Sequence, residues 1–138
     1  MSETNTIQYE RRVYYADTDV AGVVYHANYL RFFEEARTEF LRLLGFDQST
    51  LKNEVGILIL VRNIYQIDYN GAAKLDDLLT IESHVTEVTK ASVKMRQSAK
   101  LKGTEQILVT AELRLICVSA ESLKPVRLPV AIKEKLEL

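Results

Sequence analysis

The chain has 138 residues, with 18 Lys plus Arg against 19 Asp plus Glu, a formal charge of -1, 47% apolar residues and 27% charged residues. These proportions sit at the globular norm and exclude disorder or a fibrous architecture, and the length predicts one domain over residues 1–138. Near-neutral charge removes the basic excess that would favour nucleic acid, a single cysteine leaves no intrachain disulfide, and the longest apolar run, Val55 to Val61, is far short of the roughly 20 residues of a membrane span.

Glu3, Thr4 and Asn5 stand where a secretory signal would need a basic start and an apolar core, so a cytoplasmic location is expected. Gln8 to Ala16, rich in Tyr and Val, predict a first strand, ended by the turn-forming run Asp17-Thr18-Asp19-Val20-Ala21-Gly22. From Asn28 the period changes. Tyr29, Phe32, Phe33, Ala36, Phe40, Leu43 and Leu44 recur at three- and four-residue steps, with Arg31, Glu34, Glu35, Thr38, Glu39 and Arg42 opposite. This predicts an amphipathic helix of about 16 residues, roughly 24 Å long, with Asn28 as N-cap and Gly45 just past its end.

Period two then takes over and predicts four strands. They cover about Leu58–Tyr69, about Leu78–Val88, a stretch with Val93, Met95, Ala99 and Leu101 on one face, and Ile107–Val118. In the last, Val109, Ala111, Leu113, Leu115 and Cys117 share a face. The short link Lys102-Gly103-Thr104-Glu105 suits an antiparallel hairpin, because parallel neighbours need crossovers of about a dozen residues. A short helix is predicted from about Pro129 to Leu136, with Pro in its first turn. A long helix followed by antiparallel strands is an α+β order, five strands around one helix. One helix covers one sheet face and leaves the edges open, so at least a homodimer is expected.

The connection between the first strand and the helix gathers Asp17, Asp19, Gly22, His26 and several tyrosines. Loops on a rigid scaffold concentrate reactive groups, and unpaired N–H groups at a helix start stabilise developing negative charge. One reading is acyl transfer, with a carboxylate as nucleophile or as general base toward water and amides near Tyr25 and His26 holding the oxyanion. A second is an Asx turn beside a helix-end charge. A third is a metal site of Asp17, Asp19 and His26, which no second acidic cluster supports. Spacing leaves all three open.

The string Val13-Tyr14-Tyr15-Ala16-Asp17-Thr18-Asp19-Val20-Ala21-Gly22-Val23-Val24-Tyr25-His26-Ala27-Asn28-Tyr29, then Phe33-Glu34-Glu35-Ala36-Arg37, resembles the hotdog-fold acyl-CoA thioesterases of the 4-hydroxybenzoyl-CoA thioesterase family. The similarity is greatest to the branch called Tol-Pal-associated acyl-CoA thioesterases, and it continues through Asp68-Tyr69, Leu75-Asp76-Asp77-Leu78 and Lys124-Pro125-Val126-Arg127-Leu128-Pro129. Asn70-Gly71-Ala72 departs from that branch, which more often has an aromatic or proline pair there. The resemblance implies a curved antiparallel sheet around the helix, two copies joined edge to edge, and dimers paired into a tetramer. It implies Asp19 as the catalytic carboxylate with Asp17 in support and His26 as proton carrier or substrate clamp. Gly22 would bring the backbone close to the thioester, and Val23, Tyr25 and Tyr29 would line the substrate. It further implies that Lys90 and Lys124 meet the nucleotide phosphates of coenzyme A. A thioester has little amide-like resonance, so no cofactor and no metal is expected, coenzyme A being part of the substrate.

The rivals are a hotdog enoyl-CoA hydratase, whose Asp-x-Asn-Pro-x-His spacing is absent, and a non-catalytic acyl-CoA or acyl-carrier-protein binding partner. Glu35 and Glu39, among Arg31 and Arg42, read as surface charges, and His84 as structural. Cys117 reads as a buried small hydrophobe. The Lys94, Arg96, Lys100 and Lys102 stripe has no interleaved aromatic platform and reads as a solvated sheet face.

Overall fold

The computed structural model describes residues 6–137, so the reading of Glu3, Thr4 and Asn5 lies outside the described residues. Five strands, β1 (Thr6–Arg12), β2 (Ile57–Tyr69), β3 (Leu78–Val88), β4 (Ser92–Leu101) and β5 (Ile107–Ser119), form one antiparallel sheet in the order β1-β3-β4-β5-β2. Helix α1 (Asn28–Leu43) packs on one face, and two short helices, α2 (Gln48–Thr50) and α3 (Val130–Leu136), complete the α+β arrangement. Among the described residues no helix is long and apolar enough to cross a membrane.

α1 forms because its apolar residues recur on one stripe, and it stops at Leu44, after which Gly45 adopts a positive φ of 99°. Phe32 and Phe33 are fully buried, and each stabilises the fold by about 1.5–3 kcal/mol through the area it removes from water. Two details of the expected helix change. Leu43 is 68% exposed and Leu41 is buried in its place, because the turn carrying Leu51 and Ile57 folds back onto Leu41's side of the helix. Asn28 is the first helical residue and not the cap: its Nδ2 donates to the Asp17 carbonyl oxygen at 2.9 Å.

The core lies in two clusters along α1. Tyr29, Phe32, Phe33 and Ala36 pack on Leu79, Ile81, Val109 and Ala111, while Phe40 and Leu41 pack on Val85, Met95, Leu113 and Ile132. Gln97 lies on the buried face of β4, fully enclosed; the expected strand passed over it between Met95 and Ala99. β1 ends at Arg12, four residues before the expected Ala16, because the Tyr14 amide donates to Asp17 Oδ2 (2.9 Å) and Tyr15–Asp17 close a 3-10 turn. β2 pairs only with β5 and carries two register irregularities: Ile57 is buried and Ile59 and Ile67 pack partly on the core, while Leu60, Val61, Ile64, Tyr65 and Tyr69 are all exposed.

Candidate active site

The connection from β1 to α1 is stitched to the segment after β2. Val13 exchanges backbone bonds with Asp77 and Asp76, and Val24 N donates to Ala73 O at 2.9 Å. At the departure Asn70-Gly71-Ala72 the chain runs close against β5. Asn70 and Gly71 both donate to Leu108 O (2.7 and 3.1 Å), and a Cβ on Gly71 would lie 2.8 Å from Leu108 Cδ2, so a larger residue here would push the end of the Leu108 side chain aside.

Asp17 anchors the connection. Its carboxylate is 3% exposed and accepts from Arg11 Nη1 (2.8 Å), Arg31 Nη2 (2.7 Å) and Tyr14 N (2.9 Å), while its carbonyl accepts from Tyr25 N (3.0 Å) and Asn28 Nδ2 (2.9 Å). Burial alone would push its pKa up; the Tyr14 amide and the Arg31 and Arg11 guanidiniums outweigh that and hold it below the usual carboxylate value. Arg11 also donates to Glu35 Oε1 (2.8 Å), which accepts from Tyr9 Oη (3.1 Å), so Glu35 is a partner inside this network and not the surface charge expected. Glu39 does stay at the surface, 3.4 Å from Arg42. The Asp17 carboxylate is occupied by two guanidiniums and the Tyr14 amide, and among the described residues no group of three His, Cys, Asp or Glu side chains is placed to hold a metal ion.

Asp19 sits on the tight turn that follows. Gly22, at φ 82°, donates to Asp19 O (3.0 Å), and Asp19 Oδ1 accepts from Ala21 N (2.9 Å). The Asp19 side chain is exposed in the single protomer, and so are Val20, Tyr25 and His26. At the start of α1 the Tyr25 amide is taken by Asp17 O and the Asn28 amide by Tyr25 O (2.8 Å), whereas the amides of His26 and Ala27 have no acceptor among the described residues. The free donors are therefore His26 and Ala27, and Tyr25 is removed from the expected oxyanion pair. The His26 ring lies 4.6 Å from that of Tyr25 and 6.0 Å, edge-on, from that of Tyr69, whose hydroxyl donates to His26 O at 3.1 Å.

Other expected residues fall elsewhere. Tyr29 is 2% exposed beneath the connection, its hydroxyl accepting from Ala73 N (3.1 Å), and burial raises its pKa. Val23 is partly buried and bridges to Lys74. Lys90 and Lys124 are not beside Asp19. Arg12 pairs with Leu78 at the end of the sheet that carries Asp19, while Lys90 follows Val88, roughly 33 Å along β3. Lys124 shares that far end, where Ser119 N donates to Lys124 O (2.9 Å) and Leu128 N to Lys90 O (2.8 Å). His84 Nδ1 bonds Thr6 Oγ1 at 2.6 Å, and burial pushes the Cys117 thiol up, away from the thiolate. Arg11, Arg31 and the Tyr69 hydroxyl were not singled out from sequence. Arg31 carries a signal: a cation near the start of a helix opposes the helix dipole unless a carboxylate holds it, here Asp17.

Residues 13–136 match the Thioesterase-like superfamily, and the chain belongs to that family, with the hotdog thioesterase fold. It is 46% identical over 129 residues to the acyl-CoA thioesterase YbgC of Haemophilus influenzae, covering 94% of this chain and 93% of that one. It is 38% identical over 129 residues to the acyl-CoA thioester hydrolase YbgC of Escherichia coli O6:H1, covering 94% of each. Among solved structures it resembles a probable thioesterase from Bartonella henselae, with a TM-score of 0.84 and 39% identity, covering 90% of this chain and 99% of that one.

Proposed function

We propose that this chain hydrolyses acyl-CoA thioesters to a free carboxylic acid and coenzyme A, with Asp19 as nucleophile or general base and the His26 and Ala27 amides holding the oxyanion. The carrying observation is that these two amide hydrogens are unbonded at the start of α1, on the same connection as Asp19. The names of the relatives supply the substrate class. In one course Asp19 takes a proton from water as the water oxygen bonds the carbonyl carbon. In the other the Asp19 carboxylate bonds that carbon first and water then cleaves the anhydride. In both, the carbon–sulfur bond breaks, and the thiolate leaves and takes a proton. No cofactor is needed, and the reading is of a cytoplasmic enzyme, in keeping with its single buried thiol.

An exposed carboxylate needs walls, and a second copy along β2 supplies them. Antiparallel pairing of two β2 edges sets the Ile57 end of one strand against the Tyr69 end of the other. The Asp19 connection lies at the Tyr69 end, through the Tyr69–His26 bond, and Lys124 lies at the Ile57 end, where Ile57 pairs with Ser119. Lys90 and Lys124 of the second copy thereby come to the end that carries Asp19, which a single chain does not achieve. Two such dimers pair into a tetramer under the same reading.

A panel of acyl-CoA esters with a thiol reagent tests this. The wild-type protein is expected to release thiol, and Asp19→Asn to lose at least about 10²-fold in rate. Equal rates would remove Asp19, and release from no ester would favour a non-catalytic acyl-CoA or acyl-carrier-protein binding role.

A further inference from the structure

Arg37 lies nine residues past the start of α1, about 13.5 Å of helix rise away from the Asp19 connection. Its Nη1 donates to Gln97 Oε1 at 3.0 Å. Gln97 is fully buried, and its Nε2 donates to Phe33 O (3.0 Å) and to Ser83 Oγ (2.8 Å), which turns its carbonyl oxygen onto Arg37. Among the described residues Gln97 is the sole hydrogen-bond partner of Arg37, and no carboxylate lies within ion-pair distance. Burial depresses the guanidinium's pKa against the opposing pull of Glu34. A guanidinium has five donors, and a partly buried cation held by one neutral amide is an unfavourable arrangement that an anion would relieve.

The same side chain lines a narrow cleft, open to solvent, with Phe40, Gln48, Ile59, Val85 and Met95; its volume of about 40 Å³ has room for roughly three waters, so an alkyl chain on Arg37 would lie along the open mouth and only partly inside. Mostly apolar walls around a few polar groups, here Arg37 and Gln48, are the usual make-up of a small-molecule site. We propose that this cleft binds a short-chain aliphatic carboxylate, its carboxylate on the Arg37 guanidinium and its alkyl chain against Phe40, Val85 and Met95. A carboxylate accepts two parallel N–H bonds from a guanidinium, which neither an alcohol nor an amine reproduces.

The sequence has two methionines, Met1 and Met95, so ¹³C-methyl-methionine labelling of the full chain gives a reporter inside the cleft, assigned by Met95→Leu. Titration with hexanoate is expected to shift the Met95 methyl signal saturably, and hexanol to need at least about tenfold more ligand. Arg37→Met is expected to weaken hexanoate at least about tenfold, Arg37→Lys less, and Asp19→Asn not at all. Where Arg37→Met does not fold, the hexanoate–hexanol comparison on wild type decides. An unmoved Met95 signal, equal affinity for hexanoate and hexanol, or loss of the response in Asp19→Asn would each overturn the proposal.

Discussion

β1 and β2 both border the sheet, yet they present different chemistry to solvent. On β1, Glu10 pairs with Lys102 and Arg12 donates to Asp76 O (2.7 Å), while Tyr9 and Arg11 turn inward to Glu35 on α1. On β2, Leu60, Val61, Ile64 and Tyr69 are 42–45% exposed along a thirteen-residue strand. Charge blunts an edge against pairing, whereas a long apolar edge invites it. The difference reaches the site. The charged edge holds the Asp19 connection from within its own chain, through Arg11 and Asp17, and the apolar edge touches it through one Tyr69–His26 bond at the border a second copy would complete.

Breaking the charged side is expected to have the largest effect. Asp17→Ala leaves Arg11 and Arg31 with Glu35 as their one remaining carboxylate, and about 3 kcal/mol should be lost in urea unfolding at pH 7, the low end for a buried pair because Glu35 stays in place and Arg31 is half exposed. The folded pKa of Asp17 lies below the unfolded one, so its contribution is complete above an unfolded value of about 4 and fades as pH falls through the folded value. The gap between wild type and Asp17→Ala should therefore shrink at the acid end, and a gap that stayed constant down to pH about 2 would count against this ion pair as its source.

The apolar side is tested by Ile64→Lys. Two symmetry-related lysines on a paired β2 edge would repel across a dry interface, at a cost of several kcal/mol in association. Light scattering should show protomers in place of dimers, and thiol release should fall with assembly while the unfolding midpoint of the protomer moves little. Gln8→Lys on β1 should leave assembly as it was. An Ile64→Lys protein that remained dimeric would move the interface to another surface.

How much of this contrast was legible beforehand depends on the range of the forces involved. α1, the strands β3, β4 and β5 and the β4–β5 hairpin follow from periodicity, because one face of each is buried along most of its length. β2 has the residues of a strand but only part of its burial, at Ile57, Ile59 and Ile67, since its place at the border of the sheet follows from a strand order that local pattern does not contain. Asp17 and Asp19 stand out as a pair, yet their different fates depend on Arg11 and Arg31, which reach Asp17 from β1 and α1. Lys90 and Lys124 were matched by resemblance alone, and nothing near them in sequence tells which end of the sheet they occupy. Gln97 was missed because a polar residue on a buried face is only explained by partners 14 and 60 residues away, Ser83 and Arg37.

Two smaller substitutions sharpen the comparison. Tyr69→Phe removes the hydroxyl bond to His26 O and keeps the ring, a change of about 0.5–1.5 kcal/mol. If that bond orients the His26 segment, kcat/KM should fall roughly two- to tenfold with assembly intact, and an unchanged kcat/KM would show that the apolar edge acts on the site only through its partner. Glu10→Gln on β1 is the mildest. Glu10 and Lys102 are both about half exposed, so solvent screens their attraction and ordering two long side chains offsets much of it, leaving at most about 0.5 kcal/mol. Lys102 remains on that edge in the variant and still discourages a neighbouring strand, so no new oligomer should form. A Glu10→Gln protein that associated through β1 would mean that charge balance, and not the mere presence of charge, keeps that edge single.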